Sequence, residues 1–341
     1  MATMRAVVFD GPGQYGLRDV PRPEVRQDDD VILRVDACGV CGTDVRMLAN
    51  PTQHHANPGA ILGHEIAATI VEAGDGLGEF NLGDRVVFDP DIPCLRCAFC
   101  VRGRPNQCLN IQETGATKDG GFAEYIRVPA RTLFRVPPEM SLEAAALIEP
   151  LACAMTAADR AHIQPGDSVV VLGGGPIGLL FLQIYRAAGA RQVLVVEPLP
   201  ARAEWALALG ASQVLDPHTG NVAEQVRAAT GIGAEVVVDA MGSGMAAGLE
   251  LLCRGGTLLL FGINEQSHPV IPQYNITMSG LSVVGSAAGT HHFPQALHFM
   301  ATGGVQTDIL VTHQFGLEQF DDALATLRTG QALKVLIRPH D

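Results

Sequence analysis

No apolar run in the 341-residue sequence approaches the roughly 18 to 20 residues needed to cross a bilayer. The opening segment MATMRAVVFDGPG lacks the long apolar stretch of an export signal, so a cytoplasmic protein in reducing surroundings is expected. Positive charge is also scarce. With 23 Lys and Arg against 36 Asp and Glu, the formal net charge is −13, and no basic block offsets it locally. That balance disfavours nucleic acid and anionic membrane surfaces as partners and leaves small molecules. Internal repeats, low-complexity tracts and long linkers are missing too, which argues against solenoids and disordered arms. Charged residues make up 17% and hydrophobic ones 47%, the balance of a globular chain, and this length is more than one core usually supports. Two domains are therefore expected.

The texture changes near residue 150. Before it, short β-rich runs (Met4–Phe9, 30–35, 67–72 and Arg85–Phe88) alternate with Gly, Pro and Asp turns, the pattern of an irregular, mostly antiparallel β domain. After it, strands and helices alternate: Ser168–Leu172, an apolar helix to Ala188, Gln192–Val196, and an Ala-rich helix ending near Gly210. Further strands fit at 235–239 and 257–261, with an amphipathic segment from Gly244 to Cys253 between them. This is the signature of a doubly wound parallel sheet, and the fold class is α/β. The tail, with 293–300, 317–326 and the strand-like Lys334–Ile337, is expected to return to the first domain. The expected division is 1–152 with 289–341, and 153–288.

Eight cysteines in an unexported chain of this size suggest metal or redox chemistry rather than disulfides. Four of them, Cys94, Cys97, Cys100 and Cys108, follow the spacing C-x2-C-x2-C-x7-C inside CLRCAFCVRGRPNQC. Four thiolates on one short loop can close a tetrahedron around zinc, a structural site with no position left for substrate. The competing readings are disulfides or a loop that has lost its metal. The two-residue spacings favour chelation.

The segment SVVVLGGGPIGLLFLQIYRAAGA sets Gly173, Gly175 and Gly178 in G-x-G-x-x-G register, directly after a strand and at the opening of a helix. In such a loop the first glycine makes the tight turn, the second lets a pyrophosphate approach the backbone, and the third allows close helix packing. Pro176 suits the first helical turn, with Ile177 beside it. Glu197 ends the next strand, where a carboxylate can hold both adenosine ribose hydroxyls and repel a 2′-phosphate, so NAD is expected over NADP. Arg202 has two readings: a partner for a phosphate, or a solvated helix position.

Two further segments carry metal-competent side chains: CGVCGTD at 38–44, with Cys41, and GHE at 63–65, with His64. Singly, a cysteine here is usually core and a histidine a satisfied polar residue. In order along nearly the whole chain, CGVCGTD, GHE, GDRV at 83–86, the four-cysteine lobe, GGFAEY at 120–125, EPL at 149–151 and GGGPIG with Glu197 resemble the zinc-dependent medium-chain dehydrogenase family. The resemblance implies a GroES-like catalytic domain beside a Rossmann NAD-binding domain, and two zinc ions per chain. The catalytic one would lie between the domains on Cys41 and His64. Where the alcohol dehydrogenase branch has a second cysteine ligand, this chain has Glu149, which resembles the polyol (sorbitol) and threonine dehydrogenase branches. Glu65 and Glu149 share the third place without a settled order, and Cys153 reads as structural.

The implied reaction is hydride transfer between NAD(H) and a secondary alcohol or ketone of a polyol, sugar or cyclitol. The alternatives are an amino-alcohol dehydrogenase of the threonine type and a non-enzymatic NAD-binding protein on the same fold. Thr43 stands where the family places the hydroxyl that passes the proton outward. Two departures are visible. Arg46 replaces a relay histidine, and GSAAGTHHF from Gly285 replaces an Arg-Tyr pair, leaving Ala287, Ala288 and Gly289, with His291 or His292, as a different pocket wall. The family also implies a homotetramer or homodimer.

Overall fold

The computed structural model describes residues 2–289 and 291–341; Thr290, in the segment that departs from the Arg-Tyr pair, lies outside the described residues. The chain divides into two compact units. One comprises Met1–Pro150, Gly289–Ala301 and Thr307–Asp341, and the other Leu151–Ala288 with Thr302–Gln306.

In the first unit an antiparallel hairpin, Thr3–Gly11 with Gln14–Pro21, precedes a seven-stranded sheet. The sheet runs Val311–Phe315, Lys334–Ile337, Asp30–Gly39, Glu65–Ala73, Arg85–Phe88 and Leu133–Arg135, with Tyr125–Pro129 also on Asp30–Gly39. All its pairings are antiparallel except the first. The strand Asp30–Gly39 is the axle of the unit. Val31, Leu33, Val35 and Cys38 are fully buried in the main apolar cluster, the three aliphatic side chains each contributing about 1.5–3 kcal/mol of burial. It runs to Gly39, past the end at residue 35 expected from the sequence, because Ala37 and Cys38 are also completely buried there. Those extra residues carry the backbone to the site.

The second unit is a six-stranded parallel sheet in the order Gln213–Leu215, Gln192–Val196, Ser168–Leu172, Ala234–Asp239, Leu252–Leu260 and Ser282–Gly285. This is the Rossmann order. Val169, Val170 and Val171 are all inaccessible because helices cover such a sheet on both faces, so the run reads as continuous valine rather than alternation. One boundary differs from expectation. The helix after the fourth strand is Met245–Leu251, and the fifth strand begins at Leu252 instead of residue 257, with an irregular register opposite Ala234 and Val236. Gly255 and Gly256 hid this strand's first half, since glycine weakens any strand signal. No helix is long and apolar enough to cross a membrane among the described residues.

Candidate active site

The four-cysteine lobe is built almost entirely from its own loop. Its sulfurs lie within 4.8 Å of one another, with Cys97 Sγ 3.5 Å from Cys100 Sγ and 3.9 Å from Cys108 Sγ. Those separations are far beyond a disulfide's, and all four cysteines are free. The N–H groups of Cys94 and Asn110 donate to Cys108 Sγ at 3.2 and 3.3 Å. The backbone N–H of Arg96 draws the Cys94 thiol down to about 6, and that of Cys100 lowers Cys97. Burial and the neighbouring Cys97 push Cys100 up to about 12. Four thiols that cannot all ionise alone, in tetrahedral reach of one point, fit a divalent soft-binding cation such as zinc.

The second cluster is assembled from distant segments. Cys41 is the N-cap of the helix Gly42–Met47: its Sγ accepts the N–H of Thr43 at 3.4 Å, and its own N–H donates to Asp44 Oδ2 at 2.8 Å. A cysteine thus takes the serine or threonine role in a reciprocal cap. Asp44 is fully buried, and its Oδ1 has no hydrogen-bond partner among the described residues; His64 Nδ1 lies 3.6 Å from it. Burial alone would lower the His64 imidazole, but the Asp44 carboxylate and the Cys41 sulfur outweigh it and raise His64 well above its ordinary range. A field that holds a proton on this ring suits a metal cation equally. With Nε2 on a metal, Nδ1–H would face the unsatisfied Asp44 oxygen, the carboxylate–histidine arrangement common behind zinc ligands.

Glu65 opens its strand one residue later and is 1% exposed. Its carboxylate reaches the cluster because Gly39 stands opposite it; a Cβ at residue 39 would fall 2.0 Å from Glu65 Oε2. Lys334 Nζ donates to both Glu65 oxygens at 2.7 and 2.6 Å. Burial would lower the Lys334 ammonium, yet Glu65 and Cys41 raise it. Ligating atoms of Cys41, His64 and Glu65 lie within 4.8 Å of one another. Glu149, in the first turn of the helix Ile148–Ala158, stands outside that trio but within electrostatic reach of Lys334 and Asp91.

Thr43 and Arg46 share the helix Gly42–Met47 with the cap. Both are partly buried, and Arg46 folds back so that its terminal nitrogens would lie 3.9 Å from a Cβ on Gly42. Four residues of this unit escaped the sequence reading as site members: Asp44, Lys334, Asp89 and Asp91. Burial and the Asp91 charge push Asp89 up to about 8, and burial with Glu149 and Glu113 pushes Asp91 up to about 7. Asp89 Oδ1 accepts the N–H of Asp91 at 3.0 Å. The D-x-D spacing beside the lobe was their only sequence signal.

In the second unit Gly173 has φ +99°, a left-handed turn suited to glycine, and a Cβ on Gly178 would sit 1.8 Å from the Gly173 carbonyl oxygen. Gly175 differs: it caps the helix Pro176–Ala187, with Ile177 in its first turn, and a Cβ there would meet nothing nearer than Arg202 Nη1 at 3.8 Å. The protein's own packing does not require that glycine, which fits a ligand approaching the backbone. Glu197 is buried; its Oε2 accepts the N–H of Gly174 at 2.8 Å and its Oε1 that of Leu199 at 2.9 Å. The carboxylate is thereby fixed at the edge of the glycine turn. Asp239, also missed, fixes the neighbouring strand end by accepting the N–H groups of Met241, Gly242 and Gly244. Ala288 and His291 both have left-handed φ values, 59° and 63°; His291 is exposed, and His292 is partly buried, its carbonyl accepting the N–H of Ala296. Cys153 is buried.

Residues 27–138 match the alcohol dehydrogenase GroES-like domain, and residues 176–302 match the zinc-binding dehydrogenase domain. The chain is 32% identical to D-arabinitol dehydrogenase 1 of Uromyces fabae, over 99% of this chain and 98% of that one. It is 31% identical to sorbitol dehydrogenase of Bacillus subtilis, again over 99% and 98%. Among solved structures, a zinc-binding dehydrogenase from Sinorhizobium meliloti bound to NADP superposes with TM-score 0.93 at 33% identity, covering 99% of this chain and all of that one. An alcohol dehydrogenase from Escherichia coli complexed with NADH gives 0.92 at 26% identity, with the same coverage.

Proposed function

Because the chain belongs to the zinc-dependent medium-chain dehydrogenases, we propose that it interconverts a secondary alcohol of a polyol, sugar or cyclitol with its ketone, using NAD(H). The observation that carries this reading is the buried Cys41–His64–Glu65 cluster with the unsatisfied Asp44 oxygen behind it. Cys41 and His64 would hold a zinc ion, with Glu65 or Glu149 in the third place, and Cys94, Cys97, Cys100 and Cys108 a second, structural one. When bound, the catalytic ion acts as a Lewis acid that lowers the pKa of an alcohol and so favours loss of hydride.

The chain's own groups do the rest. Asp44 fixes the His64 tautomer, and the cap geometry holds the Cys41 sulfur at a helix N-terminus. The Thr43 hydroxyl takes the alcohol proton outward, and Arg46, whose side chain has donors but no acceptor, cannot continue that relay. Gly173, Gly175 and Gly178 admit the pyrophosphate to the helix N-terminus, with Arg202 beside it. Glu197 retains one acceptor site on each oxygen for the ribose hydroxyls, and its charge opposes a 2′-phosphate. We expect NAD to exceed NADP in kcat/KM by about tenfold or more, the size of one opposed charge pair. Kinetics with both cofactors on a panel of polyols, cyclitols and simple alcohols test this, and a preference for NADP would overturn the role given to Glu197.

A second reading, an amino alcohol of the threonine type, is favoured by one observation: Asp91 lies within electrostatic reach of His64, and Asp89 and Glu149 gather within reach of Asp91. Amino alcohols in the same panel decide between the two. The protein is further proposed to act in the cytoplasm as a homotetramer or homodimer, which light scattering tests.

A further inference from the structure

With 36 acidic residues against 23 basic ones, carboxylate partners for arginine are plentiful in this chain. Arg5, Arg22 and Arg135 pair with carboxylates, and the Arg85 guanidinium donates to the carbonyls of Met140, Pro137 and Pro138. Arg46, beside the candidate site, has neither kind of partner. Its side chain is partly buried, its Nε is shut off from solvent without a hydrogen-bond partner, and its guanidinium makes no ion pair among the described residues. The backbone there is firmly held: the Arg46 carbonyl accepts the N–H groups of Ala49 and Gln53 at 3.3 and 3.0 Å. Asp44 does not serve as its counter-ion, because residues two apart on a helix point to different sides. The Asp44 oxygens are turned instead to the Cys41 N–H at 2.8 Å and to His64 Nδ1 at 3.6 Å.

A desolvated donor on a cation without a counter-charge costs free energy until an acceptor meets it. Position decides which acceptor that is. Arg46 follows Thr43 by three residues, so the two share a helix face. Both terminal guanidinium nitrogens would stand 3.9 Å from a Cβ on Gly42, the exposed residue between Cys41 and Thr43. The fork thus lies over the turn that carries the metal-competent sulfur and the proton-passing hydroxyl. A guanidinium presents paired N–H donors matched to two oxygens of one phosphate or carboxylate, whereas a neutral hydroxyl leaves its charge unanswered. Resting on the proposed dehydrogenase reading, we propose that Arg46 is a substrate-binding residue for an oxyanion: the alcohol handled here is a phosphorylated polyol or sugar, or the corresponding acid, rather than a neutral one.

The test compares the full-length wild type with Arg46→Met and Arg46→Lys, using NAD and matched substrates: xylitol and sorbitol, their terminal phosphate esters, and the aldonic acids of the same chain lengths. The wild type should favour an anionic member over its neutral parent by about tenfold or more in kcat/KM, the worth of one charge-assisted pair. The member preferred tells phosphate from carboxylate. Arg46→Met should raise the KM for that substrate about tenfold to hundredfold with much less change in kcat, and should erase the preference. Arg46→Lys keeps the charge without the fork and should fall between the two. Calorimetry with inorganic phosphate gives a readout without turnover, and binding should weaken about tenfold or more in Arg46→Met. A wild type that prefers neutral polyols would overturn the inference. Equal losses on neutral and anionic substrates in Arg46→Met would overturn it too, leaving a structural arginine. So would a rise in the KM for NAD alone, which assigns the oxyanion to the cofactor. If Arg46→Met does not fold, Arg46→Lys decides: a reduced preference supports the inference and an unchanged one overturns it. A wild type that oxidises none of these alcohols would defeat the proposed function. Phosphate binding weakened in Arg46→Met would then still support Arg46 as the oxyanion site, and binding unaffected by that substitution would overturn it.

Discussion

The two metal-competent clusters of this chain differ in how they are made. The four-cysteine lobe draws every donor from 15 residues, Cys94 to Cys108, and its satisfying groups are N–H donors of the same loop. The Cys41 cluster draws on a helix cap, the start of one strand and, through Lys334, a strand 269 residues away. The first is chemically uniform and needs no surrounding charge. In the second, Asp44 and Asp91 bear electrostatically on His64 and Lys334 on Glu65, and Glu149 bears on Lys334 and Asp91 in turn. Closure around a structural ion asks only for four equivalent donors, whereas an ion meant to handle substrate needs unequal donors and a field tuned around them.

The largest effect expected to separate the clusters follows from Cys41→Ala. It removes the thiolate and the cap at once, and turnover should fall by about a thousandfold or more, as for the loss of a group that organises transition-state charge. The sheet around it and the lobe should persist, so metal analysis should give one zinc per chain instead of two, and dinucleotide binding should survive. Retained turnover, or loss of both ions together, would mean that the clusters are not separate devices.

Cys97→Ser is the reciprocal experiment. Cys97 lies within 3.5–3.9 Å of two other lobe sulfurs, so a single hydroxyl replacement should release the structural ion while the catalytic one stays. The lobe has little core of its own: Leu95, Val101 and Leu109 are exposed, and among its four cysteines only Cys108 is buried. Metal binding there is therefore a large part of local folding, and proteolysis should cut within 94–108 well before the rest of the chain. A thermal midpoint lowered by several degrees is expected, with zinc content of one. Unchanged protease resistance would show that the loop holds itself without metal.

The same contrast explains what could be read from the sequence. The lobe was legible in full because its chemistry is local, and spacing is all that a local chelate needs. Cys41, His64, Gly173, Gly178 and Glu197 were legible because each sits in a short motif whose backbone reason is itself local. Asp44 lay inside the quoted CGVCGTD, but its role depends on His64 standing 3.6 Å away, which no spacing reveals. Lys334 was visible only as the first residue of a strand. Its partner is fixed by sheet order, Lys334–Ile337 beside Asp30–Gly39 beside Glu65–Ala73, and such neighbours are set by global packing rather than by nearby residues. The early start of the fifth parallel strand at Leu252 was missed for a related reason, since pairing with Ala234 overrides the weak propensity of Gly255 and Gly256.

The smallest effect lies at the seam between the clusters. Asp91–Ile92 pairs with Gln112–Glu113 at the neck of the lobe, setting Asp91 opposite Glu113, and Asp89 supports that turn by accepting the Asp91 N–H. Burial and the Asp91 charge raise Asp89 from 3.8 to about 8, so between those limits the unfolded chain is ionised there while the folded chain keeps its proton. The folded state then binds more protons, and stability should fall as pH rises from about 4 to about 8. Asp89→Asn keeps the carbonyl oxygen that accepts the Asp91 N–H and removes the titration. We expect it to flatten this pH dependence and to gain about 1–2 kcal/mol at pH 8, after allowance for the charge shared with Asp91 and Glu149. Denaturant unfolding at pH 5 and pH 8 measures the difference. An equal loss of stability at both pH values would show that the Asp89 carboxylate is needed for its hydrogen bond alone, and that the seam carries no electrostatic link between the two clusters.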